Sequence, residues 1–195
     1  MSEADIDRLK RDIVFEATLR GRRLVFHSTW GLFSPRRIDD GTWRLVENVE
    51  VGSEDVTLEL GCGYGAIGLA VAALTPAGKV HMVDKDFVAL EYAAKNAALN
   101  GIDNVEIYPS NAFSAVPAEM RFDNIMANLP ANTGKELLSI ILHDAKAHLK
   151  RGGRLYVVTI AGLRQFIRRN FEEVFGNYAK LKQGKTYTVA LAVRD

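Results

Sequence analysis

Cysteine is almost missing from this chain, with one residue, Cys62, in 195. A single thiol excludes an internal disulfide and any metal site built from several cysteines. Proline is scarce, with five residues, so few segments are barred from regular structure. No apolar run approaches the roughly 18 residues that a membrane span needs. Net charge is nearly absent, +1 from 25 basic and 24 acidic side chains, which removes any overall pull toward polyanions. The opening Met1-Ser2-Glu3-Ala4-Asp5 lacks the basic and apolar regions of a secretory signal. The four histidines, His27, His81, His143 and His148, show no ligand spacing, so no metal is expected. What remains, 48% apolar and 25% charged residues, is the composition of a globular protein. The expected setting is the cytoplasm.

The small net charge hides an uneven distribution. Residues 145–171 carry Lys146, Lys150, Arg151, Arg154, Arg164, Arg168 and Arg169 with no acid among them. A second basic group is Arg20, Arg22, Arg23, Arg36, Arg37 and Arg44. Both could contact phosphates, or could be solvated surface near helix C-termini.

Patterning divides the chain in two. Ser2 to Asp5 fits a capping box that opens a short helix. Alternation at Ile13, Phe15, Ala17 and Leu19, a turn at Arg20-Gly21-Arg22, and Leu24 and Phe26 predict a β-hairpin. A loop rich in Gly, Pro and Arg follows over 29–40, then a helix over 41–49. From residue 56 strands and helices alternate: strand 56–60, helix 65–74, strand 79–83, helix 86–99, strand 104–108, strand 122–127, helix 134–149 ended by Gly152-Gly153, strand 154–159 and helix 162–174. Tyr178 to Leu181, a turn at Gln183-Gly184, and alternating Tyr187, Val189, Leu191 and Val193 predict a closing antiparallel pair. Repeated βα units imply right-handed crossovers and a sheet covered on both faces. The expected fold is α/β: a Rossmann-like, seven-stranded, mostly parallel sheet with an antiparallel C-terminal hairpin, plus a small N-terminal helix and β-hairpin. We read 1–195 as one domain, with 1–50 an extension packed on a core of 51–195.

The chemistry concentrates at strand ends. Glu59-Leu60-Gly61-Cys62-Gly63-Tyr64-Gly65 is a strand, glycine turn and helix start. Glycines at alternate positions let backbone approach a ligand closely. Asp84 ends the next strand, 23 residues after Gly61, near the spacing at which a carboxylate accepts from a ribose. Asp86 is the better cap for the following helix. Ser110-Asn111-Ala112 follows the third strand and Asn128-Leu129-Pro130 the fourth. Together these predict a nucleoside-bearing cofactor at the carboxyl ends of the sheet.

With these motifs the chain resembles class I S-adenosylmethionine-dependent methyltransferases. Within them it is similar to the small-domain group that includes ribosomal RNA guanine-N2 methyltransferases. Gly31-Leu32-Phe33-Ser34 and Asp40-Gly41-Thr42 resemble that group's lead-in segment, and Gly134-Lys135-Glu136 also fits. The 59–65 loop resembles the cofactor motif, with Glu for the usual Asp. Asn128-Leu129-Pro130-Ala131 resembles the Asn-Pro-Pro-aromatic motif of enzymes acting on planar nitrogens, with Leu129 for Pro and Ala131 for the stacking aromatic. The resemblance implies S-adenosyl-L-methionine held by Glu59, Gly61, Cys62, Gly63, Gly65, Asp84, Lys85, Asn111, Ala112 and Asn128. In this reading Glu59 accepts from the methionyl ammonium and the Cys62 N–H faces the cofactor. Asp84 takes the ribose, Lys85 lies beside the adenine, and Asn111 and Ala112 bond it. Asn128, Leu129 and Pro130 carry the catalytic role.

The expected acceptor is an RNA base amine, with the enzyme a monomer or homodimer. A protein glutamine or a small metabolite suits the same chemistry. Gly61-Cys62-Gly63-Tyr64-Gly65-Ala66 also satisfies a dinucleotide form, leaving an NAD(P) oxidoreductase or a non-catalytic nucleoside-binding domain as other classes. Glu59 disfavours the first, because its charge would repel a pyrophosphate.

Overall fold

A computed structural model describes residues 1–130 and 133–195; the reading of Ala131 falls outside them. Ser2 opens α1 (Glu3–Leu9) through a reciprocal capping box with Asp5. The hairpin is β1 (Ile13–Leu19) and β2 (Arg22–Ser28). Asp39 caps α2 (Asp40–Asn48) by accepting from Gly41 and Thr42. Then come β3 (Val56–Leu60), α3 (Ala66–Ala72), β4 (Lys79–Asp84), α4 (Phe87–Leu99) and β5 (Val105–Pro109). The second half holds β6 (Phe122–Asn128), α5 (Lys135–His148), β7 (Leu149–Ile160), α6 (Arg164–Phe175), β8 (Ala179–Gln183) and β9 (Tyr187–Val193).

The seven-stranded sheet runs β5-β4-β3-β6-β7-β9-β8, parallel except for the pairs made by β9. The expected architecture is therefore present. One apolar cluster joins α2, α3, α4 and the hairpin through Leu24, Phe26, Leu45, Tyr64, Leu69 and Leu90. The other joins α5 and α6 to the opposite face through Phe122, Leu138, Leu142, Ile167 and Phe171. Strand order reverses direction between β3 and β6, and the carboxyl ends of strands at such a switch point are where open α/β sheets bind ligands.

The largest boundary difference from the sequence reading lies between α5 and β7. Gly152-Gly153 does not end α5, which stops at His148. Instead Leu149 already pairs with Phe122, and Asn124 next pairs with Arg154, so five steps on β7 face two on β6. The surplus bulges out, with Gly152 at φ +76°. A Cβ on Gly153 would sit 2.8 Å from the Lys150 carbonyl oxygen. The glycine pair thus serves a β-bulge rather than a helix end.

The hairpin is fastened to α4 by polar side chains. Buried Asn96 donates to the carbonyls of His27 and Tyr64 and accepts from the His27 N–H at 2.7 Å. Asn100, one turn on, does the same for Val25. Asp12 completes the seam by pairing with Lys95, with Nδ1 of His27 at 2.7 Å and with the Tyr92 hydroxyl at 2.8 Å. Lys95 first, then His27 and Tyr92, hold the Asp12 carboxyl well below the usual carboxylate range. An acid with a depressed pKa stabilises the fold above its unfolded value, near 3.9, and that contribution is lost as pH falls below it. Asp12→Asn is therefore expected to lower the thermal midpoint by a few degrees at neutral pH and by less at about pH 3. Equal shifts at the two pH values would show that the charge of Asp12 contributes nothing.

Candidate active site

The chain leaves β3 through glycines in the left-handed region: Gly61 at φ +68°, Gly63 at +56° and Gly65 at +95°. Among the described residues a Cβ on Gly61 or Gly63 would meet nothing within 4 Å, so this backbone leaves room for a ligand to approach. Gly65 differs, since its Cβ would lie 2.8 Å from the Met82 side chain. The N–H groups of Gly61 and Cys62 both donate to the Val83 carbonyl, at 2.8 and 3.0 Å. This corrects the expectation for Cys62, whose N–H is engaged by β4 rather than turned to a ligand. Its thiol is buried, and burial pushes it well above the ordinary range, as do Glu59 and Asp84. It is therefore a packing residue and not a nucleophile.

Asp84 ends β4 against this loop. One carboxylate oxygen accepts from the Gly63 N–H at 2.9 Å, the other from Asp86 at 3.0 Å. A carboxylate offers about four acceptor sites, so capacity for a ligand's hydroxyl groups remains. Asp86 caps α4 through Val88, as its position predicted. Lys85, between them, is exposed.

Glu59 lies on β3 and faces α3. It is 2% exposed, and its Oε2 accepts from the Gly68 N–H at 2.7 Å, so its partner within the chain is the first turn of α3. Burial pushes its pKa up to about 8, with the charge of Asp84 adding and the N–H groups of Gly68 and Ile67 opposing. A carboxyl raised above its unfolded value of about 4.3 gives stability that is complete below that value and lost as pH rises through its folded value. The thermal midpoint of the ligand-free chain is expected to fall between about pH 5 and 8, and Glu59→Gln to flatten that slope. An unchanged slope in the variant would mean that Glu59 stays ionised throughout.

After β5, the Ser110 hydroxyl donates to the Ala112 carbonyl at 2.7 Å and accepts from Ala115 at 3.0 Å. Ala112 itself is at φ +51°. This tight turn leaves the Asn111 side chain exposed at the sheet edge, beside the position of Asp84.

Asn128 closes β6, and its environment was not foreseen. Its Nδ2 donates to Asp39 Oδ1 at 3.2 Å and to the Thr42 hydroxyl at 3.0 Å. A carboxylate only accepts, so the amide must turn its NH2 toward Asp39 and present Oδ1 elsewhere. Leu129 is still tied to the sheet, donating to the Val158 carbonyl at 3.0 Å, with its side chain in the core. Pro130 is exposed and its carbonyl accepts from Thr133. Asp39 and Thr42 are thus site residues that sequence reasoning missed. The available signals were the resemblance of Asp40-Gly41-Thr42 to the group's lead-in segment and an Asp, Asp39, placed to cap the helix that follows.

The segment before α2 is stitched to the glycine loop. The Tyr64 hydroxyl donates toward the carbonyls of Ser34 and Arg37, at 3.3 and 3.2 Å. The two basic groups are partly consumed by the fold. Arg20 donates to the carbonyls of Val46 and Val49, Arg154 to Glu50, and Arg164 to Thr188 and Gly184. Arg36 and Arg37 remain exposed beside the site. Among the described residues, no three His, Cys, Asp or Glu side chains gather as metal ligands, and no helix is long and apolar enough to cross a membrane.

Comparison with known proteins agrees with this geometry. The family model described as "methyltransferase small domain" matches residues 23–191. The uncharacterized protein YbxB of Bacillus subtilis is 34% identical over 177 residues, covering 89% of this chain and 88% of that one. Ribosomal RNA small subunit methyltransferase C of Haemophilus influenzae is 31% identical, covering 85% of this chain and 51% of its own length. The Thermus thermophilus 16S rRNA N2 methyltransferase RsmC, solved with AdoMet and guanosine, superposes with a TM-score of 0.84 at 28% identity. That match covers 93% of this chain and 50% of the other. The chain therefore spans about half the length of the ribosomal RNA methyltransferases it matches. A model matched over most of the sequence, on this sheet and this glycine loop, makes the chain a member of the methyltransferase small domain family.

Proposed function

We propose that this chain is an S-adenosylmethionine-dependent N-methyltransferase acting on the exocyclic amine of an unpaired RNA base, with guanine N2 the first candidate. The observation that carries the reading is the Asn128 amide, whose NH2 is held by Asp39 and Thr42 so that its oxygen points away from them and accepts from no group among the described residues. The open backbone at Gly61 and Gly63 and the remaining acceptor capacity of Asp84 suit a nucleoside cofactor. Lys85, Asn111 and Ala112 border its base, and Glu59 lies beneath its amino acid end.

Bound S-adenosylmethionine supplies an electrophilic methyl group. The protein's task is to aim a poor nucleophile, because an aromatic amine delocalises its lone pair into the ring. Asn128 Oδ1 and the Leu129 carbonyl accept the two N–H groups and turn the lone pair out of conjugation, while Pro130 restricts the backbone that presents them. The Asp39 carboxylate behind the Asn128 NH2 polarises the amide and strengthens Oδ1 as an acceptor. No strong base is required, since a proton leaves the amine after transfer. The named activity of the ribosomal RNA methyltransferase relatives supports an RNA acceptor.

Tritiated methyl transfer from S-adenosylmethionine into separated RNA and protein fractions tests the reading. Label is expected in RNA, at an unpaired base that must be flipped or single-stranded. The rate should fall steeply with salt. Label confined to protein would move the acceptor to a glutamine, and binding of NAD in place of S-adenosylmethionine would change the enzyme class.

A further inference from the structure

The segment between β2 and α2 exposes two aromatic side chains, Trp30 at 43% and Phe33 at 66%. These are large apolar groups in water, yet the loop holding them is fixed. Leu32 is buried and its N–H donates to the Thr29 carbonyl. The Ser34 hydroxyl donates to the Arg37 carbonyl at 2.7 Å. The Tyr64 hydroxyl grips the carbonyls of both ends of this turn. The Arg36 guanidinium lies over the Trp30 ring, 4.6 Å from its centroid, leaving a stacked cationic plane. Arg37 is exposed beside it.

We infer that Trp30, Phe33, Arg36 and Arg37 form a platform on which the bases flanking the target stack while their phosphates meet the two arginines. The inference deepens the proposed RNA specificity and rests on it. Unpaired strands are gripped in this way, by aromatic faces interleaved with arginine, because every base has a face to stack and every nucleotide a phosphate. Location selects this patch over the basic stretch at 145–171. Asp39 follows Arg37 by two residues, at most about 7 Å of chain, and Asp39 touches Asn128. The opposite end of the same turn is held by Tyr64 of the glycine loop. A strand lying on Phe33 is thus anchored to both halves of the site by one rigid segment.

The test measures binding of a short single-stranded RNA containing guanine, by fluorescence anisotropy, to the whole chain and to Phe33→Ala, Phe33→Leu and Phe33→Tyr. Calorimetric binding of S-adenosylmethionine and the thermal midpoint are followed in each. Losing one stacked base should weaken RNA binding on the order of 10-fold in Phe33→Ala. Phe33→Leu should not recover it, because apolar area without a ring does not stack, whereas Phe33→Tyr should. Cofactor affinity and thermal midpoint should hold, since Phe33 is exposed. An unaltered chain that methylates RNA while Phe33→Ala binds it normally, or while Phe33→Leu fully restores binding, overturns the platform alone. An unaltered chain that neither binds nor methylates RNA overturns the RNA reading itself.

Discussion

Asn128→Ala is expected to slow methyl transfer on the order of 10²-fold or more while leaving S-adenosylmethionine affinity nearly intact, judged against the cost of removing one preorganised transition-state partner. The reason lies in which end of the amide is engaged. Its NH2 is spent on Asp39 and Thr42, so truncation removes a held acceptor and leaves a buried carboxylate short of one donor. Neither change touches Gly63 or Asp84, which border the cofactor end of the site. Asn128→Asp should be no better. It would set a second carboxylate about where Nδ2 now stands, 3.2 Å from Asp39 Oδ1, and like charges at that distance do not both ionise readily. Asp39→Asn is the sharper probe. An amide at 39 can donate as well as accept, so the orientation of Asn128 is no longer dictated, and the rate should fall although the Asn128 side chain is untouched. Normal turnover in Asn128→Ala would remove it from the reaction. Normal turnover in Asp39→Asn alone would keep Asn128 but discard the clamp.

The contrast between Asn128 and Asp39 shows what one sequence can carry. Alternation of period two and runs of helical spacing are local, so the sheet, its helices and the closing antiparallel pair were readable. So were the features written within a few residues of each other: the glycine loop after Glu59, Asp84 before the capping Asp86, Asn128 at a strand end. Asp39 and Asn128 are 89 residues apart, and only packing of α2 alongside β6 and β7 unites them. The same limit explains Cys62, whose N–H partner, Val83, is set by the register of β3 on β4. It explains Arg20 as well, a residue of apparent basic surface that in fact satisfies carbonyls at the end of α2. Gly152-Gly153 misled for another reason: glycines end helices and make bulges for the same conformational freedom, and the sequence does not say which.

Gly68 escaped notice altogether, because a glycine inside a helical run reads only as a weak point. Its substitution by alanine carries the largest expected loss of stability, about 1–3 kcal/mol by comparison with overpacked cores. Helix propensity argues the opposite way, favouring alanine by roughly 1 kcal/mol, so the sign depends on space. A Cβ there would stand 2.6 Å from Glu59 Oε2, 2.6 Å from Met82 Cγ and 2.7 Å from Met82 Sδ. None can yield cheaply. Glu59 is held by the Gly68 N–H itself, and Met82 is fully buried on β4 directly opposite Glu59 on β3. Relief therefore means lifting α3 from the sheet, which lengthens the bond to a buried carboxyl and shifts the glycine loop that leads into the helix. The thermal midpoint should fall, and affinity for S-adenosylmethionine should fall with it, although residue 68 is not expected to touch the ligand. Shortening Met82 to alanine in the same chain should recover part of what Gly68→Ala costs, through a coupling that independent sites would not show. If Gly68→Ala instead stabilises the chain, propensity has outweighed contact, and the close seat of α3 on Glu59 and Met82 does not exist.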